Sequence, residues 1–168
     1  MNTLALTQLF LSIVFAISAV TKMVSFREFE DTIRKLGIPD RYCSVAGILI
    51  VAGELAAAVL VLWEPYRQWG GIVLLLLLGS FTWAVWKAMR SGKKLECNCF
   101  GEITSETLGL KTLVRIAVLL SLNLYLLLHM NSTDLFQYSF PEFVSALAVC
   151  IGILLLYALN SAWMKWRH

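Results

Sequence analysis

Cys97 and Cys99 stand one residue apart in Lys94-Leu95-Glu96-Cys97-Asn98-Cys99-Phe100-Gly101-Glu102, a polar interruption in an otherwise apolar chain. A tight turn brings side chains at i and i+2 together, so these two sulfurs can close a small, strained disulfide ring. Strain raises the reduction potential, and a labile bond suits exchange better than stapling. The plainer reading is a pair of reduced thiols buried at a helix end; a soft-metal site comes last. Structural zinc wants four ligands, usually at wider spacing, and His129 and His168 both fall far from the pair in sequence. Redox chemistry is the reading the spacing favours, and no metal is expected.

Two ionisable residues inside apolar stretches bear on the same chemistry. Glu54 lies in the middle of one such stretch and Arg115 about one turn inside another. An intramembrane carboxylate must face the interior and find a partner. Arg115 can snorkel to the interface, or reach Glu54 and so reduce the cost of burying both groups; the pair is the preferred reading. For Glu54, a structural contact and a proton-handling role carry nearly equal weight. Cys97, Cys99, Arg115 and Glu54 are therefore the expected catalytic set.

The elements that must position these residues are membrane helices. Of the 168 residues 59% are hydrophobic and only 15% charged, against about a quarter charged in soluble domains. The apolar residues fall in blocks long enough for bilayer spans, which need roughly 20 residues each. The expected fold is an all-α integral membrane protein: a four-helix transmembrane core plus a fifth, C-terminal span, in one domain. The spans are expected at about 3–20, 43–63, 69–89, 110–128 and 143–163. The first has no basic residues ahead of it and reads as an uncleaved helix rather than a signal peptide.

Between the first two spans, Met23, Phe26, Phe29, Ile33 and Leu36 recur at helical spacing among charges, which predicts an interfacial helix over about 23–36. Gly37 and Pro39 stop it. Gly53 with Ala57, and Ala52 with Ala56, give the second span small-residue faces for close packing. Asn123 reads as an interhelical hydrogen bond and Cys150 as a small buried hydrophobe. Trp63, Trp69 and Trp86 fall near span ends, where an aromatic belt is normal; an aromatic wall for a quinone is the sharper reading of the rings in the third span, Phe81 and Trp83 among them.

The net charge of +3 points to topology rather than to nucleic acid, because the basic residues sit in loops beside spans. The first connector, the cysteine loop and the C-terminal tail hold nearly all of them, against Arg67 alone on the other side. The positive-inside rule then puts the N-terminus outside, and the C-terminus and the Cys97/Cys99 loop on the cytoplasmic side of a bacterial-type inner membrane.

Thr21-Lys22 with Phe26, Glu54 among small residues, Cys97-Asn98-Cys99-Phe100-Gly101 and Arg115 together resemble the MauE/DoxX group of small redox-associated membrane proteins, over roughly residues 5–130. The group's form of the signature is usually Cys-Gly-Cys-Phe-Gly; Asn98 departs from it, though asparagine also tolerates a left-handed backbone. The resemblance implies a four-helix core that serves thiol–disulfide exchange in the maturation of exported proteins. It also implies partners that carry thiols, either a thioredoxin-like protein or the client itself. Exported clients mature outside, whereas charge counting places the thiols inside. Electrons would then cross the membrane, the loop would fold deep into the bundle, or the partner would be cytosolic.

A non-enzymatic assembly or chaperone subunit is the competing function, motivated by the basic connector. A transporter is disfavoured by the lack of a visible internal repeat. A bis-histidine haem protein is disfavoured because no two histidines lie in facing spans.

Overall fold

The computed structural model describes residues 3–90, 110–129, 144–145 and 147–152. Cys97 and Cys99 lie outside the described residues, as does most of the expected fifth span. Five α-helices follow one another: α1 (Thr3–Val24), α2 (Phe26–Lys35), α3 (Asp40–Leu62), α4 (Arg67–Arg90) and α5 (Leu110–Leu128). A single 3-10 turn, Glu64–Tyr66, joins α3 to α4. Among the described residues all regular structure is helical, and three segments are long and apolar enough to cross a membrane: Thr3–Val24, Asp40–Leu62 and Glu64–Arg90. The shorter α5 packs beside them.

The long helices close a ring, because α1 packs on α3, α3 on α4, α4 on α5, and α5 back on α1. Polar side chains on α1 set the first of these contacts. Gln8 Nε2 donates to the Val61 carbonyl at 2.5 Å and Ser12 Oγ to the Ala58 carbonyl at 2.8 Å. Ser18 and Lys22 both meet Glu54. As α1 numbers rise the α3 partners fall, so the two helices run antiparallel and in fixed register. At 3.6 residues per turn, Gln8, Ser12, Ser18 and Lys22 share about a third of the helix circumference. Where no water competes, such bonds locate helices that apolar packing alone would let slide. Asn123 makes the expected interhelical bond, its Nδ2 donating to the Gly71 carbonyl at 2.9 Å.

Glycine allows the α3–α4 hairpin to close tightly. A Cβ built on Gly70 would stand 2.7 Å from the Val61 backbone nitrogen, closer than such atoms approach. Of the two small-residue faces on α3, Ala57 is buried, whereas Ala52 and Ala56 are exposed. Residues 147–152 set Cys150 against Leu9 and its neighbours, buried as expected for a small hydrophobe.

The connector differs from its sequence pattern in one instructive way. α1 runs on through Thr21 and Lys22 to Val24, and the chain breaks at Ser25 before α2. Met23 thus belongs to the last turn of α1 and is exposed, outside the apolar stripe expected of it. Phe29 and Ile33 bury against Ala19, Cys43 and Val51, and Phe26 lies over Gly47. The apolar face of α2 is therefore covered by protein. Gly37 ends the helix with φ of +87°, a conformation that costs other residues and not glycine.

Gly70→Ala is expected to destabilise the protein by about 1–3 kcal/mol through overpacking of the hairpin. Gly79→Ala, where nothing lies within 4 Å of the added carbon, is expected to be neutral or slightly stabilising, since alanine favours helix. Thermal unfolding of both variants in one detergent checks the contrast; equal melting temperatures would mean that the close approach carries no strain.

Candidate functional site

The chemistry of the described residues converges on one buried cluster where α1, α2, α3 and α4 meet. Ser18 and Lys22 are one turn apart on α1 and point the same way, toward the middle of α3. Lys22 Nζ donates to Glu54 Oε1 at 2.6 Å and to Ser18 Oγ at 2.6 Å, and Ser18 Oγ donates onward to Glu54 Oε1 at 3.1 Å. The Lys22 and Glu54 side chains are both fully buried. Two aromatic faces complete the enclosure of the ammonium, Phe81 with its centroid at 5.1 Å and Phe29 at 5.6 Å. A cation over a ring face gains most when it is desolvated. Glu54 Oε2 has no hydrogen-bond partner among the described residues.

This geometry corrects the pairing expected from sequence. Glu54 is held by Lys22, not by Arg115. The physical reason is which helices are neighbours: α3 packs on α1, α2 and α4, while α5 packs on α4 and α1. Arg115 is half-buried on α5, and neither oxygen of Glu54 bonds to it. Lys22 was missed as a site residue because it follows the apolar block and looks like the first charge of the connector. The signal that could have found it is the polar stripe on α1, whose spacing carries the helix past Val20 and aims Lys22 inward.

A cavity of about 170 Å³ adjoins the cluster. It is bounded by Phe15 and Ser18 of α1, by Phe29 of α2, by Phe81 of α4 and by Thr112 of α5. Ser18, Phe29 and Phe81 thus touch both the cavity and the ion pair. The cavity sits at the end of the bundle where α4 runs out at Arg90 and α5 begins at Leu110. Residues 91–109, which carry Cys97 and Cys99, connect these two helix ends. Cys43, at the start of α3, is buried at the same end, its thiol turned to the Ile38 and Pro39 carbonyls at 3.4 and 3.5 Å. Among the described residues no three potential metal ligands converge.

Breaking the ion pair from one side leaves a buried charge uncompensated, so Lys22→Met is expected to destabilise by about 3–5 kcal/mol. Adding Glu54→Leu to it is expected to recover most of that loss. Denaturant titrations of the two single variants and the double in mixed micelles measure the coupling; additive losses would contradict a mutually dependent pair.

The family model described as methylamine utilisation protein MauE matches residues 1–129. The match takes in α1 to α5, the Lys22–Glu54 cluster, the Cys97/Cys99 segment and Arg115, and it supports the MauE half of the resemblance. No curated protein and no solved structure matches the chain.

Proposed function

The chain belongs to the methylamine utilisation protein MauE family, and on that premise we propose that it is a membrane thiol–disulfide oxidoreductase whose Cys97/Cys99 pair exchanges electrons with a partner protein. The family acts in the maturation of methylamine dehydrogenase, and the apolar helices make this chain a multi-pass membrane protein. Maturation of an exported client by thiol–disulfide exchange is consistent with both.

The observation that carries the reading is the buried Lys22–Glu54–Ser18 cluster, which adjoins the cavity that opens toward the helix ends joined by residues 91–109. Ion pairs in such surroundings are costly and mark functional sites by default. In the proposed step the thiolate of Cys97 or Cys99 attacks a disulfide of a thioredoxin-like or client protein. A mixed disulfide forms and the partner's other sulfur leaves as a thiolate. The remaining cysteine of the pair then resolves the mixed disulfide. The pair gives up two electrons and two protons, and the partner is reduced to a dithiol; the same step run backwards oxidises the client. In this reading Glu54 Oε2, with no donor on it among the described residues, takes a proton during the step, and Lys22 holds the carboxylate. Arg115 retains its proposed role of stabilising the thiolate.

The positive-inside count supports an N-terminus outside and a cysteine segment at the cytoplasmic face of the inner membrane. The four-helix ring supports a four-span core, with the fifth span following it. The second reading is a non-enzymatic assembly subunit docking its client on α2, whose Arg27, Arg34 and Lys35 are exposed.

An alkylation gel shift is expected to show the Cys97/Cys99 pair alternating between dithiol and disulfide across a series of redox buffers, with a membrane-impermeant reagent reaching it only from the inner face. A Cys97→Ser/Cys99→Ser protein that still supports client maturation would instead establish the assembly reading. Replacing the ion pair by Lys22→Gln with Glu54→Gln keeps hydrogen bonding but removes the proton acceptor. Cycling of the pair is expected to slow by about 10²-fold in that variant; an unchanged rate would dismiss the role given to Glu54.

A further inference from the structure

The cavity beside the ion pair has a size and lining that select a class of small molecule. Its volume of about 170 Å³ is close to that of an engineered apolar cavity of ~150 Å³ that takes up benzene. One six-membered ring fits; a second does not. Four aromatic side chains, Phe15, Phe29, Phe81 and Trp83, contribute to the wall and offer faces and edges for offset stacking. The rest of the lining is eight aliphatic side chains and four that carry hydroxyls, with no charged group among them, which disfavours an ion. Trp83 is 49% exposed and Ser80 is also exposed, so the cavity reaches the outer surface of α4, where a lipid-soluble molecule would approach.

One polar group inside is uncommitted. Among the hydroxyls on the wall, Ser18 donates to Glu54, Thr32 to the Glu28 carbonyl and Ser80 to the Leu77 carbonyl. Thr112 is 8% exposed and borders the cavity. Its hydroxyl bonds to nothing among the described residues. An acyl chain would leave that hydroxyl unpaired in an apolar site, which is unfavourable. A flat ring with a carbonyl at its edge satisfies it.

We propose that this cavity binds the ring of a lipid-soluble quinone, with a ring carbonyl accepting from Thr112 and the ring packed among Phe29, Phe81 and Trp83. The quinone's role in turnover rests on the thiol–disulfide reading, whereas its binding does not. In that role Cys97 and Cys99 lose two electrons and two protons as the sulfur–sulfur bond forms. The quinone gains both, and its two carbonyls become the hydroxyls of the quinol.

The test uses the full chain in lipid nanodiscs and an azido-substituted decylbenzoquinone as photolabel. Label is expected on peptides covering residues 80–85 and 112–116, displaced by decylubiquinone and not by decylbenzene. Ala84→Phe, which fills the cavity, is expected to lower labelling at least tenfold. Thr112→Val, the milder change, is expected to lower it about fivefold, the equivalent of one neutral hydrogen bond. Should Ala84→Phe fail to melt cooperatively, Thr112→Val decides the matter. Label spread over all spans, displaced equally by decylbenzene, or indifferent to the variants overturns the site. The Cys97→Ser/Cys99→Ser protein is expected to label normally. Quinol release by the dithiol protein is read separately: labelling at these peptides without quinol leaves the site standing and removes the quinone's role in turnover, while the alkylation gel shift decides the thiol–disulfide reading. Quinol release without such labelling removes the site.

Discussion

The mutual neutralisation of Lys22 and Glu54 is the constraint on which this end of the bundle depends. Either group alone inside four packed helices would be a bare charge in a medium that solvates it poorly, with a penalty of several kcal/mol per ion. Together, at 2.6 Å, they become a dipole, which Ser18 and two aromatic faces stabilise further. Apolar side chains of similar size would serve stability as well or better. The pair therefore makes more sense as chemistry than as a fastener. What it does fasten follows from geometry: α1 cannot turn about its axis, and α3 cannot slide along it, without separating the two charges.

That restraint is one rung of a longer register. Gln8, Ser12 and Ser18 with Lys22 meet α3 at Val61, Ala58 and Glu54, so the two helices are located along their whole contact. The hairpin from α3 into α4 is fixed by the bare backbone of Gly70 against Val61, and α5 is set on α4 by Asn123. α2 then lies across the Lys22 end, its Phe29 supplying a face to the ammonium and a wall to the cavity. A single aromatic residue thus couples the connector, the ion pair and the apolar cavity.

Much of this was legible in the residues. Helical class, membrane character, the bounds of α5, the stop at Gly37 and the interhelical bond of Asn123 all follow from hydropathy, glycine chemistry and the expense of burying an amide in lipid. Glu54 was legible as a buried group in need of a partner. Its partner was not, because hydropathy marks where a span's apolar block ends and not where its helix ends. α1 continues four residues beyond that block, and those four carry Lys22 into the interior. Choosing Arg115 treated two charges at similar depth as neighbours, and depth says nothing about which helices touch. The destination of the apolar face of α2 was hidden for a related reason: periodicity shows that Phe29 and Ile33 share a face, not whether lipid or α3 will cover it.

The two ends of the bundle use polar groups differently, and the difference bears on function. Near α1's start, Gln8 and Asn123 each donate to a backbone carbonyl and leave one amide oxygen without a donor among the described residues. Such an orphan costs about 1–3 kcal/mol, but it carries no net charge and cannot exchange a proton near neutral pH. Glu54 Oε2 is an orphan of another kind, belonging to a group that can be protonated and standing beside a lysine. Amides at both ends would have pinned the helices equally well. Buried Arg67 stands at the same end as Gln8, whereas the directly bonded Lys22–Glu54 pair lies in the half of the bundle nearer residues 91–109, whose proposed chemistry requires a thiol to lose a proton before it attacks a disulfide. The distribution of charge along α1 thus ties the rigid frame to the chemistry proposed for Cys97 and Cys99.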